Sequence, residues 1–315
     1  MDEVLGSASW VNSHVSLTPM TPKESRGLKK DALGLGPGAE FGLGPGRHVP
    51  SFFLEEPPCL PSLDADGGEG GPAQVQLAAG EAEHGLRVLR LSVGDAAYGL
   101  DGSGSRWPLL VDEVRPRHLG LVVNGPREEQ ALNGEPGAPL PWIEVSVAWP
   151  RKQRGEEMLG RLTQLGVAGI TPLRAQFGNG APLSKEPPAR WDRIVKEHTK
   201  QCGRLWLPIL RPPVSVLEFS GRIGDAAVAL LDPSGPMGLD TWARSLPLGP
   251  SLLGTKSRPI HVLVGPEGGF SSPEHDALLE AGASRVRLSP HVLRIETAAE
   301  AALAVLGAIL GSAWI

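Results

Sequence analysis

The stretch from His261 to Gly311 restricts the possible folds of this chain more than any other. Ile260-His261-Val262-Leu263-Val264 reads as a short buried strand, and Gly265-Pro266-Glu267-Gly268-Gly269 follows as a turn whose three glycines let backbone approach a ligand closely. Ser272 then predicts a helix N-cap, with Pro273 at the first helical position, Glu274 in the first turn and Gly282 closing the helix. Arg285-Val286-Arg287-Leu288 is the next expected strand, with Val286 and Leu288 on one face. The loop Ser289-Pro290-His291-Val292-Leu293-Arg294-Ile295-Glu296 leads into Thr297, which forms a capping-box pattern with Glu300 at the start of a nearly uncharged helix. Two loops at strand carboxyl ends therefore sit side by side, where open α/β sheets bind ligands.

Upstream, the same alternation begins at Trp142. It predicts strands over 143–148, 169–173 and 226–231 and helices over 155–165 and 189–205, which argues for a parallel sheet. Residues 48–124 differ, with short strands expected at 51–54, 74–77, 95–100, 107–111 and 119–123, a short helix over 84–91, and a hairpin turn at Asp101-Gly102-Ser103-Gly104. A small β-barrel is the simplest product. The division that follows is a disordered extension at 1–46, the barrel at 47–125, a Gly/Pro/Glu-rich linker at 126–140 and the α/β domain at 141–315. An acidic, glycine-rich insertion is expected at about 64–72.

A net charge of −5 argues against a protein devoted to coating nucleic acid, yet permits a local basic face. With only Cys59 and Cys202, neither a disulfide framework nor a cysteine metal site is expected, and a cytoplasmic location fits best. No metal is expected. The apolar run from Ala298 to Leu310 is read as too short to span a membrane. No Gly-Lys-Ser/Thr follows the glycines, which excludes a P-loop. At 100° per residue, Arg193, Lys196, Lys200 and Arg204 fall on one stripe of the 189–205 helix, opposite Trp191, Ile194, Val195, His198, Cys202 and Leu205. That stripe is either an ordinary solvated face or, with Arg87, Arg90, Arg151, Lys152 and Arg154, a set of phosphate contacts.

Val264-Gly265-Pro266-Glu267-Gly268-Gly269-Phe270 and Val292-Leu293-Arg294-Ile295-Glu296-Thr297-Ala298 resemble the two signature motifs of the ribosomal RNA small subunit methyltransferase E family. Gln201-Cys202-Gly203-Arg204, Leu165-Gly166-Val167 with Pro172-Leu173, and His84 with Val88-Leu89-Arg90 extend the resemblance over residues 47–311. It implies a SPOUT-type α/β domain with a C-terminal trefoil knot, preceded by a PUA-like RNA-binding β-barrel. It further implies a homodimer that methylates N3 of a uridine, conventionally numbered 1498, in 16S ribosomal RNA of the small subunit, with S-adenosylmethionine as methyl donor.

On that resemblance Leu263, Val264, Gly265, Glu267, Gly268, Gly269, Leu288, Ser289, Val292 and Leu293 would hold the cofactor. Arg87, Arg90, Arg151, Arg193, Lys200 and Arg204 would bind RNA, Arg294 would stabilise negative charge, and Glu296 would orient Arg294 or take the N3 proton. Glu296 could equally serve the helix dipole; Glu267 competes with it as a base, or satisfies turn N–H groups. Several positions depart from the family pattern. Ser289 replaces a glycine, His291 an arginine, Ile295 a threonine, Gln164 a glutamate and Arg151 a lysine, and a Ser-Glu-Arg motif before Gly178 is missing. Two alternatives follow from these departures: a catalytically impaired RNA-binding paralogue, and a knotted methyltransferase with a different RNA target.

Overall fold

The computed structural model describes residues 49–58, 73–151, 153–178 and 186–314, all within one compact unit, Pro45–Ile315. The expected extension at 1–46, the insertion at 64–72, Cys59 and Lys152 lie outside the described residues.

The first part is a five-stranded sheet of β1 (Ser51–Phe53), β2 (Ala96–Leu100), β3 (Ser105–Arg115), β4 (His118–Val123) and β5 (Glu128–Glu129), with helix α1 (Glu81–Arg87) against β4. β1 pairs with β2 in parallel and the remaining pairs are antiparallel. Phe52, Trp107, Leu109, Val111 and Leu121 fill its interior. Gly85 of α1 permits the close docking, since a Cβ there would lie 2.6 Å from Leu119. The hairpin turn forms where expected: the Asp101 carboxylate accepts from the Ser103 and Ser105 N–H groups at 2.7 and 3.0 Å. The helix expected at 84–91 instead ends at Arg87, and Arg90 turns away at φ 55. The 74–77 segment makes only single bridges, Gln74 to Val122 and Leu77 to Leu54.

The second part is an eight-stranded parallel sheet. Its chain order is β6 (Ile143–Ala148), α2 (Gln153–Gln164), β7 (Gly169–Arg174), α3 (Ala189–Cys202), β8 (Ile209–Leu210), β9 (Val214–Ser215), α4 (Val216–Ser220), β10 (Ala227–Leu231), β11 (Met237–Gly238), α5 (Leu239–Ser245), β12 (Ile260–Val264), α6 (Ser272–Glu280), β13 (Ser284–Arg287) and α7 (Ile295–Trp314). In space the strands run β11-β13-β10-β12-β6-β7-β8, with β9 also on β7. β6 and β12 are buried along their whole length, as strands covered on both faces must be. One face packs on α2, α5 and α7 and the other on α4 and α6.

Three local expectations shift. The α6 cap is Ser271, one residue earlier than expected, and its box with Glu274 is complete, with Pro273 in the first turn. Helix α7 starts at Ile295, not Thr297, and its first turn closes with the Ala298 N–H donating to Arg294 O at 2.8 Å. Thr297 is therefore inside the helix, and Glu300 pairs with Arg161 of α2 at 3.0 Å instead of completing a box. The earlier start also lengthens the apolar run: Ile295–Ser312 has mean hydropathy 1.5 and is long enough to cross a membrane. Its Ala299, Ala302, Leu303, Leu306 and Leu310 are buried among β6, β12, α2 and α5, which makes it a core helix of this unit.

Candidate active site

At the carboxyl edge of the parallel sheet, the ends of β10, β12 and β13 and the start of α7 enclose a cavity of about 420 Å³. Such a volume is within the about 300–1,000 Å³ usual for nucleotide-sized ligands. Val264, Gly265, Glu267, Gly268, Gly269, Leu288, Ser289, Val292 and Leu293, all named above as expected cofactor contacts, line it. Leu263 does not. Strand alternation turns its side chain to the opposite face, among Leu173, Phe219, Leu230 and Leu278, where it is fully buried.

The glycine loop leaves little room for side chains at two positions and favours glycine by its backbone angle at a third. The Gly269 N–H donates to Pro266 O at 2.8 Å and Gly269 has φ +75, a conformation that favours glycine. A Cβ on Gly265 would lie 3.0 Å from the Phe270 ring, and one on Gly268 would lie 3.2 Å from the Phe177 Cβ. In the second loop the Ser289 hydroxyl accepts from the His291 N–H at 3.0 Å, so the residue that replaces a glycine now builds the turn.

The sequence reading missed the third wall, Leu230 to Pro233 at the end of β10. Asp232 there accepts from the Ser234 hydroxyl and N–H at 2.7 Å and from Arg285 at 2.8 Å. Burial is the largest influence on this carboxyl and raises its pKa, but these hydrogen bonds and the Arg285 charge outweigh burial and hold it below the usual range. Asp232-Pro233-Ser234-Gly235 marks an ordinary turn after this strand, closed by the Gly235 N–H on Asp232 O at 2.9 Å; the adjacency of β10 to β12 is what brings it to the cavity.

A second cavity of about 230 Å³ adjoins the first and shares Pro266, Glu267 and Ile295 with it. Ala148, Trp149, Pro150, Arg151, Arg154 and Gly178 complete its lining. Trp149 stacks on Trp191 of α3 with ring centroids 4.1 Å apart, and Gly155 gives it room, since a Cβ there would lie 2.4 Å from the indole nitrogen.

Of the two expected catalytic residues, neither lines a cavity. Arg294 is exposed. Glu296 is 8% exposed and its partner is Arg154, not Arg294: Arg154 Nη1 lies 3.4 Å from Glu296 Oε1, and Glu296 Oε2 is buried with no hydrogen bond. The early start of α7 turns Glu296 inward towards α2, which carries Arg154.

The expected basic stripe also divides. Lys200 is 8% exposed, with its Nζ 2.9 Å from Glu81 of α1, and Lys196 lies over the Phe53 ring at 5.7 Å. This part of α3 docks the first sheet. Gly203, at φ +77, ends the helix before Arg204, whose Nη1 donates to the Thr163 and Val167 carbonyl oxygens at 3.0 Å. Burial lowers its pKa to about 10. Lys200 and Arg204 are thus inward-facing ties. Arg87 is exposed and pairs with Glu83 at 2.6 Å, Arg90 and Arg193 are exposed, and Arg151 is exposed at the second cavity. His198 Nδ1 accepts from the Gln164 amide Nε2 at 2.8 Å. Among the described residues no group of His, Cys, Asp and Glu has the arrangement of a metal site.

A family model for an RNA methyltransferase domain matches residues 137–307. The ribosomal RNA small subunit methyltransferase E of Synechocystis sp. is 30% identical over 243 residues, 76% of this chain and 75% of that one. Two solved structures share the fold. A methyltransferase from Legionella pneumophila, solved in complex with S-adenosylmethionine, superposes with a TM-score of 0.65 at 24% identity, covering 83% of this chain and 98% of that one. The ribosomal RNA small subunit methyltransferase E of Neisseria gonorrhoeae, bound to S-adenosyl methionine, superposes with a TM-score of 0.63 at 23% identity over 82% and 96%. With both signature loops lining one cavity at the sheet edge, the chain belongs to the ribosomal RNA small subunit methyltransferase E family of RNA methyltransferases.

Proposed function

We propose that this protein methylates N3 of a uridine in 16S ribosomal RNA of the small subunit, the position numbered 1498 by resemblance, with S-adenosylmethionine as methyl donor. The observation that carries this reading is the pair of adjoining cavities that share Glu267 and Ile295. The larger suits a nucleoside cofactor: Leu288, Leu293 and Val264 offer apolar walls for an adenine, and bare glycine backbone offers amide and carbonyl groups. When bound, S-adenosylmethionine supplies a methyl group on a sulfonium that is already a good leaving group.

The protein's own part is orientation and charge. Glu267, exposed and common to both cavities, is the carboxylate best placed to accept the N3 proton. Arg154 and Arg151, in the smaller cavity, stabilise the negative charge that spreads to the uracil oxygens. Glu296 acts through Arg154. An arginine does not relay a proton, so the buried carboxylate holds the guanidinium in place. Ile295 keeps the boundary between the cavities apolar and dry. Arg294, Arg87, Arg90 and Arg193 are left for RNA phosphates.

The same reading includes a PUA-like role for the first sheet, a homodimer, a cytoplasmic site of action and a trefoil knot. The strand order supports the knot: β13 lies beyond β10 from β12, yet α7 returns to pack on β12 and β6. The test is incubation of the full chain with unmethylated small subunits and methyl-labelled S-adenosylmethionine. N3-methyluridine in the digested RNA supports the reading; cofactor binding by calorimetry with no label in RNA refutes it.

A further inference from the structure

We propose that Phe177 is a stacking platform for the nucleobase next to the target uridine. This rests on the RNA-methylation reading above and adds the contact that grips the strand outside the cavity.

Phe177 is 49% exposed, whereas Phe52, Phe53 and Phe219 are at most 6% exposed, so it is a large aromatic surface left in water. The backbone that carries it is tied on both sides. The Gln176 N–H donates to Glu274 Oε1 at 2.8 Å, and the Gly178 N–H donates to Ala175 O at 3.0 Å, which closes a turn around Phe177. Glu274 is itself buried and its other oxygen accepts from the Ser271 N–H and hydroxyl, both at 2.9 Å. One carboxylate thus ties the turn that carries Phe177 to the cap of α6, directly after the glycine loop. The Phe177 Cβ abuts Gly268, and the next residue, Gly178, lines the second cavity with Arg151 and Arg154.

An exposed aromatic face on a tied turn, beside a cavity rimmed by arginines, has the composition of a single-stranded RNA site, in which bases stack on rings and cations meet phosphates. Phe177 lines neither cavity. The base inside the second cavity is therefore not its partner, and the neighbouring base is. Modifying a base at N3 requires it to leave its stack; the neighbour then loses a stacking partner, which Phe177 replaces.

The test uses the full chain saturated with S-adenosylhomocysteine and two probes: pentauridylate, and the same strand with abasic riboses flanking the central uridine. Phe177→Leu keeps an apolar cover over Gly268 but has no planar face, and Phe177→Trp keeps the plane. The expected result is that Phe177→Leu and the abasic flanks each weaken binding about five- to 150-fold, the range for loss of one base–aromatic stack. Combined they should weaken it no further, while Phe177→Trp binds like the wild type. Cofactor affinity should be the same in all three proteins. Equal binding by the Leu and Trp variants, or losses that multiply, overturns the proposal. Methylation of small subunits by the wild type is scored separately: its absence refutes the substrate reading, whereas the binding cycle decides on Phe177.

Discussion

Replacing Arg154 with methionine should separate the structural from the chemical part of the Arg154 to Glu296 contact. In the wild type, Glu296 is 8% exposed, Oε1 has the Arg154 guanidinium at 3.4 Å, and Oε2 has no hydrogen bond. Arg154→Met leaves a buried carboxylate with neither oxygen paired through this contact. Breaking a fully buried pair costs about 3–5 kcal/mol, and leaving one buried polar group unsatisfied costs about 1–3 kcal/mol. The Arg154 side chain is 40% exposed and the contact is long, so the lower range applies, about 2 kcal/mol. In a domain of this size that lowers the melting temperature by about 4–8 °C. A second change, Glu296→Gln, removes the orphaned charge and should recover more than half of the loss. Methyl transfer should stay low in both variants, because the cation facing the base is gone. Thermal melts and single-turnover methylation of small subunits measure the two quantities. An unchanged melting temperature in Arg154→Met would refute the structural reasoning, and recovered turnover in the double variant would refute the chemical role.

Lys200→Met should destabilise the protein by about 3 kcal/mol, since it leaves the nearly buried Glu81 unpaired, and should leave RNA affinity unchanged, whereas Arg193→Ala should do the reverse; chemical denaturation and filter binding distinguish them. Glu267→Gln should lower the single-turnover rate about 100-fold or more at saturating S-adenosylmethionine, the size expected for loss of a general base; an unchanged rate would move the proton to another group. Glu144 is buried on β6, and although burial is its largest influence, hydrogen bonds from Arg211 and Trp142 and the nearby His261 lower its pKa below the ordinary 4.5. Its contribution to stability is therefore full above about pH 4.5 and is lost as pH falls through the lower folded value; urea titrations of Glu144→Gln should show a flatter acid limb than the wild type.

The buried strands were legible in different ways: β12 is apolar but for His261, whereas β6 alternates Ile143, Val145 and Val147 with Glu144 and Ser146, so its burial on both faces shows only in the fold. The glycine loop was legible through its glycines, and Leu288 to Leu293 through its place after a strand. Elements of five to seven residues such as α4 and α5 escaped, since they span barely a turn or two and have no period to detect. The basic stripe misled for a tertiary reason. A helical wheel shows which side chains share a face but not what docks on it, and here α1 brings Glu81 onto Lys200. Arg204 was lost to a single backbone angle at Gly203, which ends the helix before the stripe is complete. Glu296 stands out in its motif, but its partner Arg154 is 142 residues away, a pairing that only the fold reveals.

The most direct test of the account is mass mapping of 16S ribosomal RNA from a strain that lacks its own enzyme for this position, complemented with the wild-type chain or with Glu267→Gln. Restoration of N3-methyluridine at the single expected site by the wild type, and its absence or steep reduction with the variant, is the predicted result. Methyl groups at another nucleotide, or none with a protein that still binds S-adenosylmethionine, would contradict it.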